Sequence, residues 1–136
     1  MAGWEKKNIG DLENSAEQFG LAPELEARFG RKALGMTGGG FSYQRMAPGL
    51  RSAFGHRHTH QEEIYVVLSG SGRARLGDEE VPLAPRDVLY VQPETWRAFE
   101  AGDDGLELFV SGFGQGGDSE MDAGFWPLDE AQSSNA

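Results

Sequence analysis

GHRHTHQEEIYVVLSGSGRARL, residues 55–76, places all three histidines of the chain directly ahead of an apolar run that alternates. Side chains two apart on a strand share a face. Glu63, Tyr65, Val67 and Ser69 therefore lie on one face, and Ile64, Val66 and Leu68 on the other. Both faces are largely apolar, which predicts a strand covered on both sides. Ser69-Gly70-Ser71-Gly72 reads as a turn that separates EEIYVVL from RARL. It is not a phosphate loop, because the spacing is wrong and no helix follows.

The same rhythm continues on either side. FSYQRM precedes Pro48-Gly49, RARL precedes Gly77-Asp78, and EVPL and DVLYV lead to Pro93. TWRAFEA runs into Gly102-Asp103-Asp104-Gly105, and LELFVSGF closes the series. Short strands divided by turn signals predict an all-β sandwich or barrel over residues 41–112. No stretch between them has the length of the crossover helix that parallel βαβ units require, so a Rossmann-type fold is excluded. Residues 1–40 form an N-terminal segment in which Pro23 followed by ELEARF reads as a short helical turn. Residues 113–136 form a Gly-, Ser- and Asp-rich tail with one apolar island, Phe125-Trp126-Pro127-Leu128, and its QSSNA end has a disordered composition. There is no internal repeat.

Composition bounds the function. The 136 residues carry 12 Lys plus Arg against 22 Asp plus Glu, a formal net charge of −10. Lys occurs only at positions 6, 7 and 32, so the chain lacks the basic face that nucleic acid requires. A hydrophobic share of 38% excludes a wholly disordered chain. No apolar run reaches the ~18 residues of a membrane-spanning helix, and MAGWEKKNIG lacks the apolar core of a signal peptide, so a cytoplasmic protein is expected. The absence of Cys removes disulfides, thiolate metal sites and Cys nucleophiles.

What remains is the histidine cluster. His56 and His58 sit two apart and can present imidazoles to one point, and imidazole is the commonest metal ligand at neutral pH. A strand ending at His58 and turning through Thr59–Glu62 would return Glu63 beside them, completing a 2-His-1-carboxylate set. Glu63 shares its face with Tyr65 and Val67, and a cation is one way to satisfy an acid turned into an apolar interior. The plainer alternative is a polar hairpin with three solvated imidazoles. Tyr43, Tyr65, Tyr90 and Trp96 are candidates to line a pocket, against the commoner role of strand aromatics as core.

The segment resembles the first motif of the cupins: His56 and His58, four residues, Glu63, six residues, Gly70, with Gly49 as the preceding glycine one residue further upstream than the common spacing. A second, partial motif runs over Arg86–Arg97. Asp87 and Pro93 keep their places, Glu94 or Thr95 stands where Gly is usual, and Arg97 stands where the fourth metal ligand, His, is expected. The resemblance covers about residues 41–112. It implies an all-β double-stranded β-helix, a jelly-roll barrel, with a divalent metal (Fe, Mn, Ni or Zn) on His56, His58 and Glu63.

No further His exists to replace the fourth ligand except His60, which the hairpin count puts in the turn. Three outcomes stay open. The metal has three ligands, with Arg97 turned aside or anchoring an anionic ligand. His60 supplies the lost ligand. Or the metal is gone and Arg97 pairs with Glu63. The functional reading is a small-molecule-binding cupin with a metal site, of oxygenase, isomerase or decarboxylase type, with Arg97, Tyr65 and Trp96 as ligand-binding residues. The alternative is a metal-free ligand-binding or regulatory cupin. The two-sided apolar strands, 63–69 and 87–91, and the resemblance together predict a homodimer, with Trp4, Phe125 and Trp126 as covering or bridging groups.

Overall fold

The computed structural model describes residues 2–128; the QSSNA end lies outside them. The strands are β1 (Leu25–Phe29), β2 (Gly39–Met46), β3 (Gly55–His58), β4 (Glu62–Leu76), β5 (Glu79–Leu83), β6 (Val88–Val91), β7 (Arg97–Phe113) and β8 (Ser119–Asp122). The single α-helix among the described residues, α1 (Arg31–Leu34), is one turn long. Every strand pairing is antiparallel. The sheet runs β1-β2-β7-β3-β8, and β4 joins it through β7 while carrying β5 and β6. This is the expected all-β barrel, and the sheet extends past residues 41–112 at both ends through β1 and β8.

Two long strands organise it. Residues 62–76 form one strand instead of two, and so do residues 97–113. The Ser69–Gly72 and Gly102–Gly105 segments are bends rather than turns, and the β4–β7 register shifts between Val67 and Ser69 and again between Gly70 and Gly72. Glycine is what permits the bend. Gly70 has φ 81°, and a Cβ on Gly72 would lie 2.1 Å from the Glu100 carbonyl oxygen. Each strand thereby pairs in both halves of the barrel, and the curl closes the sheet around its inner face.

The LEARF segment is a strand, not the helical turn expected after Pro23. Leu25, Ala27 and Phe29 alternate, and pairing with Met46, Gln44 and Ser42 of β2 supplies backbone partners that a short isolated helix would lack. Glu26 on the other face accepts from Arg28 and from Arg45 Nε at 3.0 Å, which fastens β1 to β2. Ahead of β1, residues 9–19 make two short 3₁₀ turns capped by the Asn8 and Asn14 side chains.

The core lies inside the barrel. Tyr65 and Val67 of β4 meet Leu108 and Val110 of β7, Met46 of β2, Val91 of β6 and Phe99, whose ring centroid is 4.6 Å from that of Tyr65. The face of β4 predicted to point inward does so. Its other face is only partly covered by the described residues. Ile64 and Val66 are half-buried, and Leu68, Val88 and Tyr90 stand 45%, 64% and 52% exposed. Residues 113–128 cover a different region. Phe125 closes over Gly55 and stacks on Trp96, and Trp126 sits between the Arg51 and Arg73 guanidinium groups. No helix among the described residues is long and apolar enough to cross a membrane.

Candidate metal centre

One mouth of the barrel gathers His56 and His58 from β3, Glu63 at the start of β4 and Arg97 at the start of β7. The histidines do not reach Glu63 through a β3–β4 hairpin. β3 pairs with β8, from Gly55↔Asp122 to His58↔Ser119, and touches β7 at His56↔Arg97. β4 pairs instead with β6 and β7, so the Thr59–Gln61 connection leads from the imidazoles to Glu63 without a hairpin ladder between the two strands.

The geometry centres on one carboxylate oxygen. His56 Nε2 and His58 Nε2 each lie 3.3 Å from Glu63 Oε1, and one ligand atom from each of the three residues falls within 4.8 Å of the others. Tyr65 donates its hydroxyl to the same oxygen at 2.6 Å, and Gln61 Nε2 donates to Oε2 at 3.3 Å. Asp118, in the loop before β8, fixes the second imidazole: its Oδ1 is 2.9 Å from His58 Nδ1, while Oδ2 accepts from the backbone N–H groups of His60 and Gln61. The His58 N–H and Arg97 Nη1 both donate to the Pro93 carbonyl, which ties the histidine strand to the arginine.

Electrostatics follow from these contacts. Burial pushes the Glu63 pKa up, but the close contacts of His56 and His58 and the Tyr65 hydrogen bond outweigh it and hold the acid well below the ordinary carboxylate range. Burial disfavours charge on His58, yet contact with Glu63 and Asp118 overcomes this and raises its pKa. Burial and the Glu63 charge keep the Tyr65 phenol protonated far above its usual value. At Asp118 burial again opposes the charge, and the His60, His58 and Gln61 donors prevail, so the acid is ionised well below its normal range.

The other expected site residues fall into place or out of it. Tyr65 is at the centre. His60 is exposed in the β3–β4 connection and outside the three-residue group. Trp96 points away from the barrel, against Phe125 and under Arg57. Arg97 is inside and 0% exposed, with Nε 3.8 Å from Glu63 Oε1. Nη1 and Nη2 donate to the Pro93 and Gln92 carbonyls at 3.2 and 3.1 Å, while Nε is buried without a hydrogen-bond partner among the described residues. The two terminal nitrogens of the guanidinium are thus tied to backbone carbonyls, and Nε faces Glu63. Asp118 and Gln61 escaped the sequence reading. Nothing in the pattern of the Gly-rich tail indicates that residue 118 returns to the barrel mouth, since only the β3–β8 pairing brings it there.

Whether this set fits a metal can be tested on its atoms. Two ligands on one ion at ~2.1 Å stand about 3–3.4 Å apart, which is the separation of the two Nε2 atoms from Glu63 Oε1. With Asp118 accepting at Nδ1, the neutral imidazole of His58 carries its lone pair on Nε2, the atom a metal would take. That Nε2 is buried without a hydrogen-bond partner among the described residues, as a ligand atom awaiting its ion would be. The donor set fits.

The cupin domain family matches residues 42–111, more than half of the chain. The chain is a cupin. A cupin protein from Bacteroides fragilis superposes with a TM-score of 0.67 at 24% identity, over 86% of this chain and 88% of that one. Oxalate decarboxylase from Bacillus subtilis gives 0.70 at 18% identity, over 84% of this chain and 31% of its own. Salicylate 1,2-dioxygenase from Pseudoaminobacter salicylatoxidans, solved with gentisate, gives 0.60 at 19%, over 72% and 28%. Among curated protein sequences, none matches the chain. These likenesses establish the double-stranded β-helix fold, and fold alone does not fix chemistry.

Proposed function

We propose that this cupin binds one divalent ion (Fe, Mn, Ni or Zn) on His56, His58 and Glu63 and acts on a small molecule held in the barrel. The carrying observation is the buried Nε2 of His58, which makes no hydrogen bond of its own among the described residues and stands 3.3 Å from a Glu63 oxygen while a second carboxylate takes Nδ1. A bound ion supplies a Lewis acid with coordination positions left open for a substrate oxygen. The reaction classes in view, decarboxylation and oxygenation, are those named for two neighbours of the same fold.

The chain's own residues set the conditions. Asp118 holds the proton on His58 Nδ1 and orients the ring. Tyr65 and Gln61 grip the two oxygens of Glu63 and keep its carboxylate plane fixed. Arg97 adds a permanent buried cation. A unit pair at ~4 Å and an effective dielectric of ~20 is worth ~4 kcal/mol, so a divalent ion held at a similar distance would meet about twice that as repulsion from Arg97, offset in part by the Glu63 charge. An ion held by these three residues would bind more weakly than in a four-ligand set, and would favour an anionic ligand.

The second reading is a metal-free cupin in which Arg97 neutralises Glu63, and the 3.8 Å separation of Nε and Oε1 is the observation in its favour. Calorimetric titration of zinc and manganese into protein made without an affinity tag, with metal content read by mass spectrometry, separates the two. One ion per chain, lost in His58→Ala and in Glu63→Gln, is the expected result. Sub-stoichiometric metal with no uptake on reconstitution would overturn the metal reading and leave the ion pair.

A further inference from the structure

A second arginine, Arg31, reaches the mouth of the barrel. It is the first residue of α1, directly after β1, and its Nη2 donates to the Gly114 carbonyl at 2.7 Å. The same atom stands 3.5 Å from Oε1 of Gln61, whose amide in turn holds Glu63. Glycines make its berth. A Cβ on Gly40 would lie 2.9 Å from Arg31 Nε, and one on Gly116 would lie 3.4 Å from Nη2. Among the described residues no carboxylate pairs with it, and neither Nε nor Nη1 donates to a protein acceptor. Below it lies a cavity of about 160 Å³ that reaches Ser42, Glu63 and Val110, with the 57%-exposed Phe29 on the rim.

Charge points to the same spot. In a chain of net charge −10 the three lysines are Lys6, Lys7 and Lys32. All three line one cleft of about 920 Å³, which shares Phe29 and Arg31 with the barrel cavity. Those four cations face the carboxylates of Asp11 and Glu13 there, and Lys7 also stands 3.9 Å from Glu5, which leaves a smaller positive excess. A locally positive approach on an acidic molecule concentrates and steers anions. A guanidinium with donors to spare suits a planar carboxylate, which it meets with charge-assisted bonds.

We propose that the ligand of the barrel is a small carboxylate, which enters along the lysine cleft and docks its carboxylate on Arg31. This rests on the reading of the barrel interior as a ligand site, though not on a metal being there. The cavity is well below the ~300–1,000 Å³ of a pocket for drug-sized molecules, so the acid is small.

The test is a ¹H–¹⁵N NMR titration of metal-free protein, EDTA present, with malonate, its neutral diamide malonamide, and inorganic phosphate. Malonate is expected to shift the amide signals of Gly40, Gly114, Gly116 and the Gln61 side chain, more weakly as salt is added, and malonamide to leave them unmoved. Arg31→Gln should weaken malonate about tenfold or more, the loss of one charge-assisted contact, and Arg31→Lys should recover part of it. Malonamide binding as well as malonate, phosphate binding more tightly at the same signals, no malonate shift at tens of millimolar, or wild-type affinity in Arg31→Gln would each overturn the proposal. The malonate–malonamide comparison holds on the wild-type chain if Arg31→Gln fails to fold. Zinc uptake is read in a separate experiment. Malonate docking without zinc uptake sinks the metal site alone, and the converse sinks Arg31 alone.

Discussion

Cutting Arg97 back to alanine would leave Glu63 buried with the Arg97 charge gone, would take the Arg97 donor from the Gln92 carbonyl and would leave the Pro93 carbonyl with the His58 N–H alone. Removing one member of a buried pair typically costs about 3–5 kcal/mol. We expect Arg97→Ala to lose that much in urea denaturation of metal-free protein, and Arg97→Ala with Glu63→Gln to recover much of it. A second residue-scale prediction concerns Asp118, which touches the metal set only through His58 Nδ1. Asp118→Asn keeps the volume and removes the charge, so zinc affinity should fall about 10–100-fold with little change in fold, by titration and circular dichroism. At this scale the sequence was informative where chemistry is local. His56, His58, Glu63 and Tyr65 could be read from spacing and alternation, and Arg97 from the second motif. Asp118 could not, because its role comes from a partner 60 residues away in the chain.

Strands fasten to one another here through side chains as well as ladders, and the Glu26 clamp between β1 and β2 makes that measurable. The Arg28 hydrogen bond, opposed by burial and helped by Arg45, lowers the Glu26 pKa. A carboxyl whose pKa falls on folding contributes stability above its unfolded value, ~4.3, and loses it as pH falls through the lower folded value. Glu26→Gln should therefore cost about 1 kcal/mol at pH 7. The gap to wild type should close as pH falls below ~4, followed by urea midpoints across pH. A gap constant with pH would place the effect in packing instead. The same elements mark what sequence could not reveal. LEARF has a helix former's composition and became a strand because β2 offered an unpaired edge. The Ser69–Gly72 and Gly102–Gly105 segments carry turn residues, but glycine serves a close crossing of β4 and β7 as readily as a reversal. The choice between them is made by pairing partners distant in sequence.

At the scale of the whole molecule, the uncovered surface lies on the outer side of β6, β4 and β7. Val88 pairs across to Val66, and Val66 to Phe109, so the apolar side chains form a continuous strip flanked by Tyr90, Ile64 and Leu68. β6 has β4 as its strand neighbour, which leaves its far edge without a pairing partner among the described residues. Phe125 and Trp126, expected as bridging groups, are already engaged within the chain, and of the three only Trp4 stands free of the fold. An apolar strip of this kind beside an open strand edge favours association, since water is expelled from both copies at once. The partner that fits without further assumption is a second copy, apolar strip against apolar strip about a two-fold axis. The charge of −10 opposes association at long range, so added salt should strengthen the dimer. Light scattering at micromolar concentration is expected to give about twice the 14.8 kDa of one chain. Val88→Asp, which puts a charge in the middle of the strip and touches neither the core nor the barrel mouth, should return the monomer mass with zinc uptake intact. A wild-type monomer at every salt concentration would show instead that these strands tolerate water on their outer face.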